Sequence, residues 1–319
     1  KRKKNKYIMC GIIGFLSFQN SKDKLCNHDK LANGLDLIEH RGPDQLSGVI
    51  GSNFFFGSAR LAIEAISSGA QPFYSENKRF ILVFNGEIFN YKILINKYFK
   101  GRQINSEGQL LLNLFEKFDE SFIEHIKGQF AISIFDIKKN TLYLFRDRFG
   151  IRPLYYYRKN SRIVFSSEIK SIINILDETP TISQKSLLNT AIFWTNTGSQ
   201  TAFENISKLE PGEYLKISKK KFIKKKYFTN YFLNKNKTIK INESELRNKL
   251  RSSILNQTQS EIGYASYLSG GIDSSVIAYE LANISSKKLE TFSIAFENKE
   301  YDESNKQKLM SKFLNTDHN

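Results

Sequence analysis

Residues 267–275 read Tyr267-Leu268-Ser269-Gly270-Gly271-Ile272-Asp273-Ser274-Ser275, an apolar strand end running into two glycines, an aspartate and paired serines. The G-x-x-x-x-G-K-[ST] phosphate loop occurs nowhere in the chain, so a lysine is not part of this cradle. Gly270 and Gly271 lack Cβ, and their N–H groups can approach an anion closely. Ser269, Ser274 and Ser275 bring hydroxyl donors. The run Val276-Ile277-Ala278-Tyr279-Glu280-Leu281-Ala282 reads as a helix whose positive end faces the same anion. The plainer alternative is a glycine-serine turn between a strand and a helix.

Around this loop, helix (244–257), strand (265–268), loop, helix and strand (290–295) follow one another, a βαβ beginning that implies a parallel sheet. Upstream the pattern differs. Strand-like runs at 11–18, 53–56, 80–84, 130–136, 141–145, 154–157 and 163–166 are interrupted by helical periodicity at 31–39 and 110–118. Consecutive strands with few helices imply an α+β layered domain. A length of 319 residues, 40% hydrophobic and 25% charged, accommodates two domains, each with its own core.

The net charge of +16 invites a nucleic-acid reading, but its location argues otherwise. Residues 1–9 carry five Lys or Arg and no acid; residues 216–240 carry ten Lys and no acid. The second stretch alternates apolar and basic residues, as an exposed hairpin does. Two cysteines, Cys10 and Cys26, make neither a disulfide scaffold nor a zinc site and fit a reducing cytosol. His28, His40, His125 and His318 lack metal-ligand spacing. No apolar run reaches a membrane span. The basic start followed by an apolar run imitates a signal peptide, yet no A-x-A-like cleavage site follows. The expectation is a cytoplasmic protein with no nucleic-acid or membrane partner.

Met9-Cys10-Gly11-Ile12-Ile13-Gly14 gains meaning if Met9 is the true start and is removed. Cys10 then carries a thiol and a free α-amine, whose near-neutral pKa suits a general base. A buried strand cysteine is the bland alternative. Four further segments weigh against it: Glu39-His40-Arg41-Gly42-Pro43-Asp44; Arg60-Leu61-Ala62-Ile63 with Gly69-Ala70-Gln71-Pro72; Val83 to Asn90; and Arg146 to Tyr155. Together with M-C-G-I, in this order, they resemble the glutaminase domain of class II glutamine amidotransferases. Residues 267–275 resemble the pyrophosphate loop of ATP pyrophosphatases, and the pairing is similar to the glutamine-hydrolysing asparagine synthetase family. The resemblance continues through 165–170, 209–214, 292–296, 301–303 and 316–318.

The resemblance implies an α+β N-terminal-nucleophile layered domain over residues 10–232 and the start of an α/β parallel-sheet ATP-pyrophosphatase domain over 241–319. Residues 1–9 would be a basic tail outside the mature protein. It also implies that Cys10 attacks the side-chain amide of glutamine. Arg60 would hold the glutamine carboxylate through its guanidinium fork, with Leu61, Ala62, Ile63 and Glu64 beside it. The Asn85 amide and Gly86 N–H would stabilise the oxyanion, a contribution of about 3 kcal/mol per donor. Glu87 would contact the substrate. The family motif S-D-x-E reads Ser106-Glu107-Gly108-Gln109 here. Glu107 keeps the charge for the substrate amine but moves it by about 1 Å; weakened glutamine affinity is expected, with ammonia as a substitute donor.

At the second site the resemblance implies ATP. Leu268 and Ile294 fall at adenine-contacting backbone positions, Ser269, Gly270, Gly271, Asp273, Ser274 and Ser275 cradle pyrophosphate, and Asp273 binds Mg²⁺ or caps the helix. The implied reaction is adenylation of the aspartate β-carboxylate, then attack by ammonia; sugar-acid or peptide acceptors are the alternative. A homodimer is compatible with it. The chain reads as a fragment, or as a frame extended upstream of Met9, since the later S-G-x-G-x-D-E segment does not occur in it. The expectation for this 319-residue chain is therefore glutamine hydrolysis after trimming, without amide synthesis. A non-synthesising glutaminase or nucleotide-binding module is the reading from a different class.

Overall fold

Strand β1 (Gly11–Ser17) is buried along its whole length, because layers cover both of its faces. In the computed structural model, residues 9–19, 27–63, 65–229 and 242–319 are described; Cys26, Glu64 and the basic segments 1–8 and 230–241 lie outside them. The chain divides into two compact units, Lys1–Tyr231 and Phe232–Asn319.

In the first unit β1 is followed by α1 (His28–Asp36), β2 (Gln45–Ile50), β3 (Phe54–Arg60), β4 (Phe73–Tyr74) and β5 (Phe80–Ile88). Helices α2 (Tyr91–Tyr98) and α3 (Glu107–Phe118) come next, then β6 (Gly128–Asp136), β7 (Thr141–Arg146), β8 (Tyr155–Lys159) and β9 (Arg162–Ser166). The unit ends with α4 (Ile169–Ile175), α5 (Gln184–Phe193), β10 (Ile206–Lys208), β11 (Glu213–Ile217) and β12 (Phe222–Lys226). Two antiparallel six-stranded sheets result, in the orders β10-β8-β9-β1-β3-β2 and β12-β11-β7-β6-β5-β4.

Alternation along the strands builds the layers. Ile12, Leu16 and Phe56 of the first sheet share a core with Ile81, Val83, Phe135 and Leu144 of the second. On the outer face of the first sheet, Ile13, Phe15 and Phe55 pack with Leu31 and Leu35 of α1 and Ile172 and Ile175 of α4. On that of the second, Leu82, Phe84, Ile132 and Phe145 pack with Leu110, Leu114 and Phe115 of α3. Residues of the central strands β1, β5, β6 and β7 therefore face one of three dry interfaces, which explains their near-continuous apolar runs. The result is a four-layer helix–sheet–sheet–helix sandwich, the α+β layered domain expected.

The described part of the lysine-rich stretch forms a hairpin of β11 and β12, with Glu213 opposite Lys226 and Ile217 opposite Phe222; residues 230–240 of that expectation lie outside the described residues. Part of its charge is answered locally: Lys216 meets Glu120 at 2.9 Å and Lys224 meets Glu213 at 3.0 Å.

The second unit runs α6 (Glu243–Gln257), β13 (Ser266–Tyr267), α7 (Ile272–Ile284), β14 (Glu290–Phe292), α8 (Ser304–Leu314) and β15 (Asp317–His318). Its three strands pair in parallel, β13-β14-β15, and Leu268, Ala278, Leu281 and Leu289 form its core. This is the start of a parallel sheet, with strands shorter than the sequence led one to expect at 265–268 and 290–295. No helix among the described residues is long and apolar enough to cross a membrane.

Candidate active site and phosphate loop

Cys10 stands immediately before β1, and β1 pairs with β3, whose last residue is Arg60. The register Gly11–Ala59 brings the start of β1 beside the end of β3. The cysteine Sγ accepts from Leu61 N–H at 3.3 Å and faces the Leu61 carbonyl at 3.5 Å. Its own carbonyl accepts from Arg41 Nε at 2.9 Å. Arg41 is anchored in turn by Glu168 at 3.0 Å, and Glu168 also meets His40 at 2.8 Å and Lys170 at 3.0 Å.

One cleft gathers Cys10, Arg60, Leu61, Ile63, Asn85, Gly86, Glu87, Glu107 and Arg152. Of the residues expected at the first site, only Ala62 is not in its wall, and Glu64 lies outside the described residues. Ala62 donates its N–H to Asp44 Oδ2 at 2.8 Å, which fastens the loop after Arg60. Arg60 is buried, and its guanidinium donates to the carbonyls of Ala65 at 2.8 Å and Ile66 at 3.3 Å. It thereby shapes the loop that walls the cleft.

Asn85 is 1% exposed, and its Nδ2 is buried with no acceptor among the described residues. Gly86 of β5 lies close against β6: a Cβ there would lie 2.1 Å from the Gln129 carbonyl oxygen. Both that space and a positive φ of +157 require glycine. Gln71 holds the same strand, β5, by exchanging two hydrogen bonds with the Phe84 backbone, at 2.9 and 2.8 Å. Glu107 opens α3, where Ser106 accepts from Gln109 N–H as the cap, and its Oε1 accepts from Ile88 N–H at 2.5 Å. That bond joins α3 to the end of the strand that carries Asn85 and Gly86.

Arg152 was not singled out in the sequence, although its segment was. Buried Asp147 accepts from the N–H groups of Phe149, Ile151 and Arg152, each at 3.0 Å. Buried Arg146 donates Nε to the Arg152 carbonyl at 2.9 Å. The Arg-Asp pair thus folds the 147–152 loop and fixes Arg152 at the cleft, 4.0 Å from Glu87.

Burial pushes the Cys10 thiol up, while the Leu61 N–H, Arg152 and Arg60 pull it back and Glu87 adds to the rise. The net direction is upward, so the sulfur needs a base to become a nucleophile.

In the second unit Gly270 adopts φ +78, and a Cβ there would meet Lys306 Cβ at 2.6 Å. Both conformation and space require glycine. Ser269 and Ser274 share a hydrogen bond of 2.9 Å, and the Ser274 hydroxyl reaches the Gly271 carbonyl at 3.2 Å. The Ser275 Oγ is buried without a partner among the described residues. The helix cap is Gly271, not Asp273: the aspartate lies in the first turn of α7, exposed, with no capping bond. The backbone of Leu268 is engaged internally, its N–H by Phe292 and its carbonyl by the Ser293 hydroxyl; the Ile294 carbonyl accepts from Gln307. These carbonyls keep a second lone pair for a ligand. Among the described residues no cluster of three or more metal-ligating side chains occurs. Asp273 fits Mg²⁺ only as a single carboxylate beside phosphate oxygens.

The first unit is thus a four-layer α+β sandwich with a cysteine, Cys10, at the head of an inner strand. The chain belongs to the glutamine amidotransferase domain family, whose model matches residues 9–228, and the asparagine synthase model matches residues 245–319. It is 31% identical over 303 residues to asparagine synthetase [glutamine-hydrolyzing] 2 of Bacillus subtilis, covering 90% of this chain and 40% of that protein. Asparagine synthetase B of Escherichia coli is 28% identical, over 88% and 46%. Amidase chry2 of Gibberella zeae is 32% identical, over 85% and 42%. The chain spans less than half the length of these relatives. The glutamine phosphoribosylpyrophosphate amidotransferase of B. subtilis aligns at 15% identity and a TM-score of 0.49, over 97% of this chain and 65% of that one.

Proposed function

We propose that the first unit hydrolyses glutamine at Cys10 and that the ammonia serves an ATP-dependent amide synthesis. In the proposed reaction the free α-amine of Cys10 takes the thiol proton, and the sulfur attacks the glutamine side-chain carbonyl. The Asn85 Nδ2 and Gly86 N–H receive the oxyanion. The proton passes to the departing nitrogen, ammonia leaves, and water cleaves the glutamyl thioester to glutamate. Glu107 and Glu87 carry the charges for the substrate ammonium, and Arg60 the charge for its carboxylate. The observation that carries the reading is the unpartnered, buried Asn85 amide in the same cleft as the Cys10 sulfur.

Downstream, the anion cradle at 269–275 suits the phosphates of ATP, with Asp273 able to hold one Mg²⁺ against them. Adenylation turns a carboxylate oxygen into a good leaving group as AMP, and ammonia then displaces it. Aspartate is the leading acceptor, giving asparagine, because the relatives named asparagine synthetase align across both units. The equal similarity to a protein named amidase favours, as the second reading, a different carboxylate acceptor.

Protein beginning at Cys10 should release glutamate and ammonia from glutamine, and Cys10→Ser should abolish this. Equal rates from both would overturn the glutaminase reading. A screen of carboxylates with ATP for pyrophosphate release then separates the acceptors.

A further inference from the structure

Arg152 has the features of a charge placed for use. It is 8% exposed, lines the Cys10 cleft and stands 4.0 Å from Glu87 Oε1. Its Nε–H is buried and finds no acceptor among the described residues. Burial works most strongly against its own charge and Arg41 adds to that, while Glu87, then Cys10 and Asp147 favour it. A buried guanidinium that is only partly partnered costs stability. The protein nevertheless holds it in place from both sides of its backbone, through Asp147 Oδ2 at 3.0 Å and Arg146 Nε at 2.9 Å. Arg60, the other cation of the cleft, is turned to two loop carbonyls.

We propose that Arg152 is a positioning residue for the nucleophile: its guanidinium, set against Glu87, stabilises the negative sulfur of Cys10 and keeps Glu87 at the cleft wall. The proposal rests on Cys10 as the nucleophile of this cleft, and its test does not require glutamine turnover. Of the two cations that ease ionisation of Cys10, Arg152 acts more strongly than Arg60, and Glu87 opposes them. The two charges therefore have opposite effects on one sulfur.

The test is the rate of Cys10 alkylation by iodoacetamide between pH 6 and 11, in the full chain carrying Cys26→Ser, with the relative rate at neutral pH as the readout where a midpoint lies above that range. Arg152→Gln should move the alkylation midpoint up by about one pH unit, a roughly tenfold slower reaction at neutral pH. Arg152→Lys should restore most of the difference. Glu87→Gln should move the midpoint the other way. Opposite shifts support the proposal, because loosened packing would move both variants in the same direction. Unchanged midpoints, or shifts of one sign, would overturn it. If Arg152→Gln fails to fold, the Arg152→Lys and Glu87→Gln pair still decides: a midpoint lowered by Glu87→Gln supports the electrostatic role, and an unmoved one overturns it.

Discussion

Arg41 donates its Nε to the carbonyl oxygen of Cys10 at 2.9 Å, so the cysteine backbone is held by a side chain from a different segment. Glu168 fixes that guanidinium from the other side at 3.0 Å. Arg41→Ala should free the Cys10 peptide and lower kcat/KM for glutamine about 100-fold, the scale of a misplaced nucleophile. Steady-state glutamate release checks this. An unchanged value would mean that pairing of β1 with β3 suffices to place the sulfur.

The two proposed oxyanion donors, Asn85 and Gly86, separate chemistry from space. Asn85→Ala should cut kcat about 100-fold or more while leaving KM within a few-fold. Gly86→Ala should act on the fold instead, since its Cβ would lie 2.1 Å from the Gln129 oxygen. Thermal denaturation of both variants should show a fall in Tm only for the second.

Glu107→Gln keeps an acceptor for Ile88 N–H and removes the charge. The expected result is a rise in KM for glutamine of about tenfold with kcat little changed, the scale of one charged hydrogen bond. A fall in kcat with unchanged KM would assign Glu107 to positioning the 85–88 strand end.

Acid stability should respond to Asp136. Burial alone would raise its carboxyl, but the Arg79 guanidinium at 2.6 Å and the Lys139 N–H hold it below the usual aspartate range. A depressed folded-state value gives stabilisation that is complete above the unfolded aspartate pKa, about 3.9. It is lost as pH falls through the lower folded value. Asp136→Asn should cost about 2 kcal/mol at neutral pH and flatten the acid limb in denaturant titrations. An acid limb identical to that of the parent would contradict this.

Much of this architecture is legible in the residues, and the exceptions have physical causes. Strands β5, β6 and β7 read clearly because apolar side chains occupy both of their faces. Strand β2 (Gln-Leu-Ser-Gly-Val-Ile) escaped notice because it lies at a sheet edge, alternately half-buried and exposed, with a glycine and two polar residues. Helix α1 begins at His28, three residues earlier than its apolar pattern, because Asn27 caps it by accepting from Asp29 N–H. At the cleft, motif order led to Cys10, Asn85 and Glu107, but not to Gln71 or Arg152. Their roles depend on partners far along the chain, Gln71 on Phe84 and Arg152 on Glu87. The clue for Arg152 was the neighbouring Arg146-Asp147 pair, whose buried hydrogen bonds need a loop to hold.

The proposed ATP cradle at 269–275 makes a separate prediction. Gly270→Ala combines a strained φ with a collision against Lys306, so ATP affinity should fall at least about tenfold. Glutamine hydrolysis by the first unit should be unaffected. Isothermal titration with ATP, beside the glutaminase assay, tests both halves.

The central claim is a covalent glutamyl thioester on Cys10. The direct measurement is acid-quench mass spectrometry of protein beginning at Cys10, mixed with glutamine and digested. The account predicts a glutamyl adduct on the Cys10 peptide that disappears in Cys10→Ser and accumulates less in Asn85→Ala. Glutamate release without any adduct, at a rate that Cys10→Ser leaves unchanged, would contradict it.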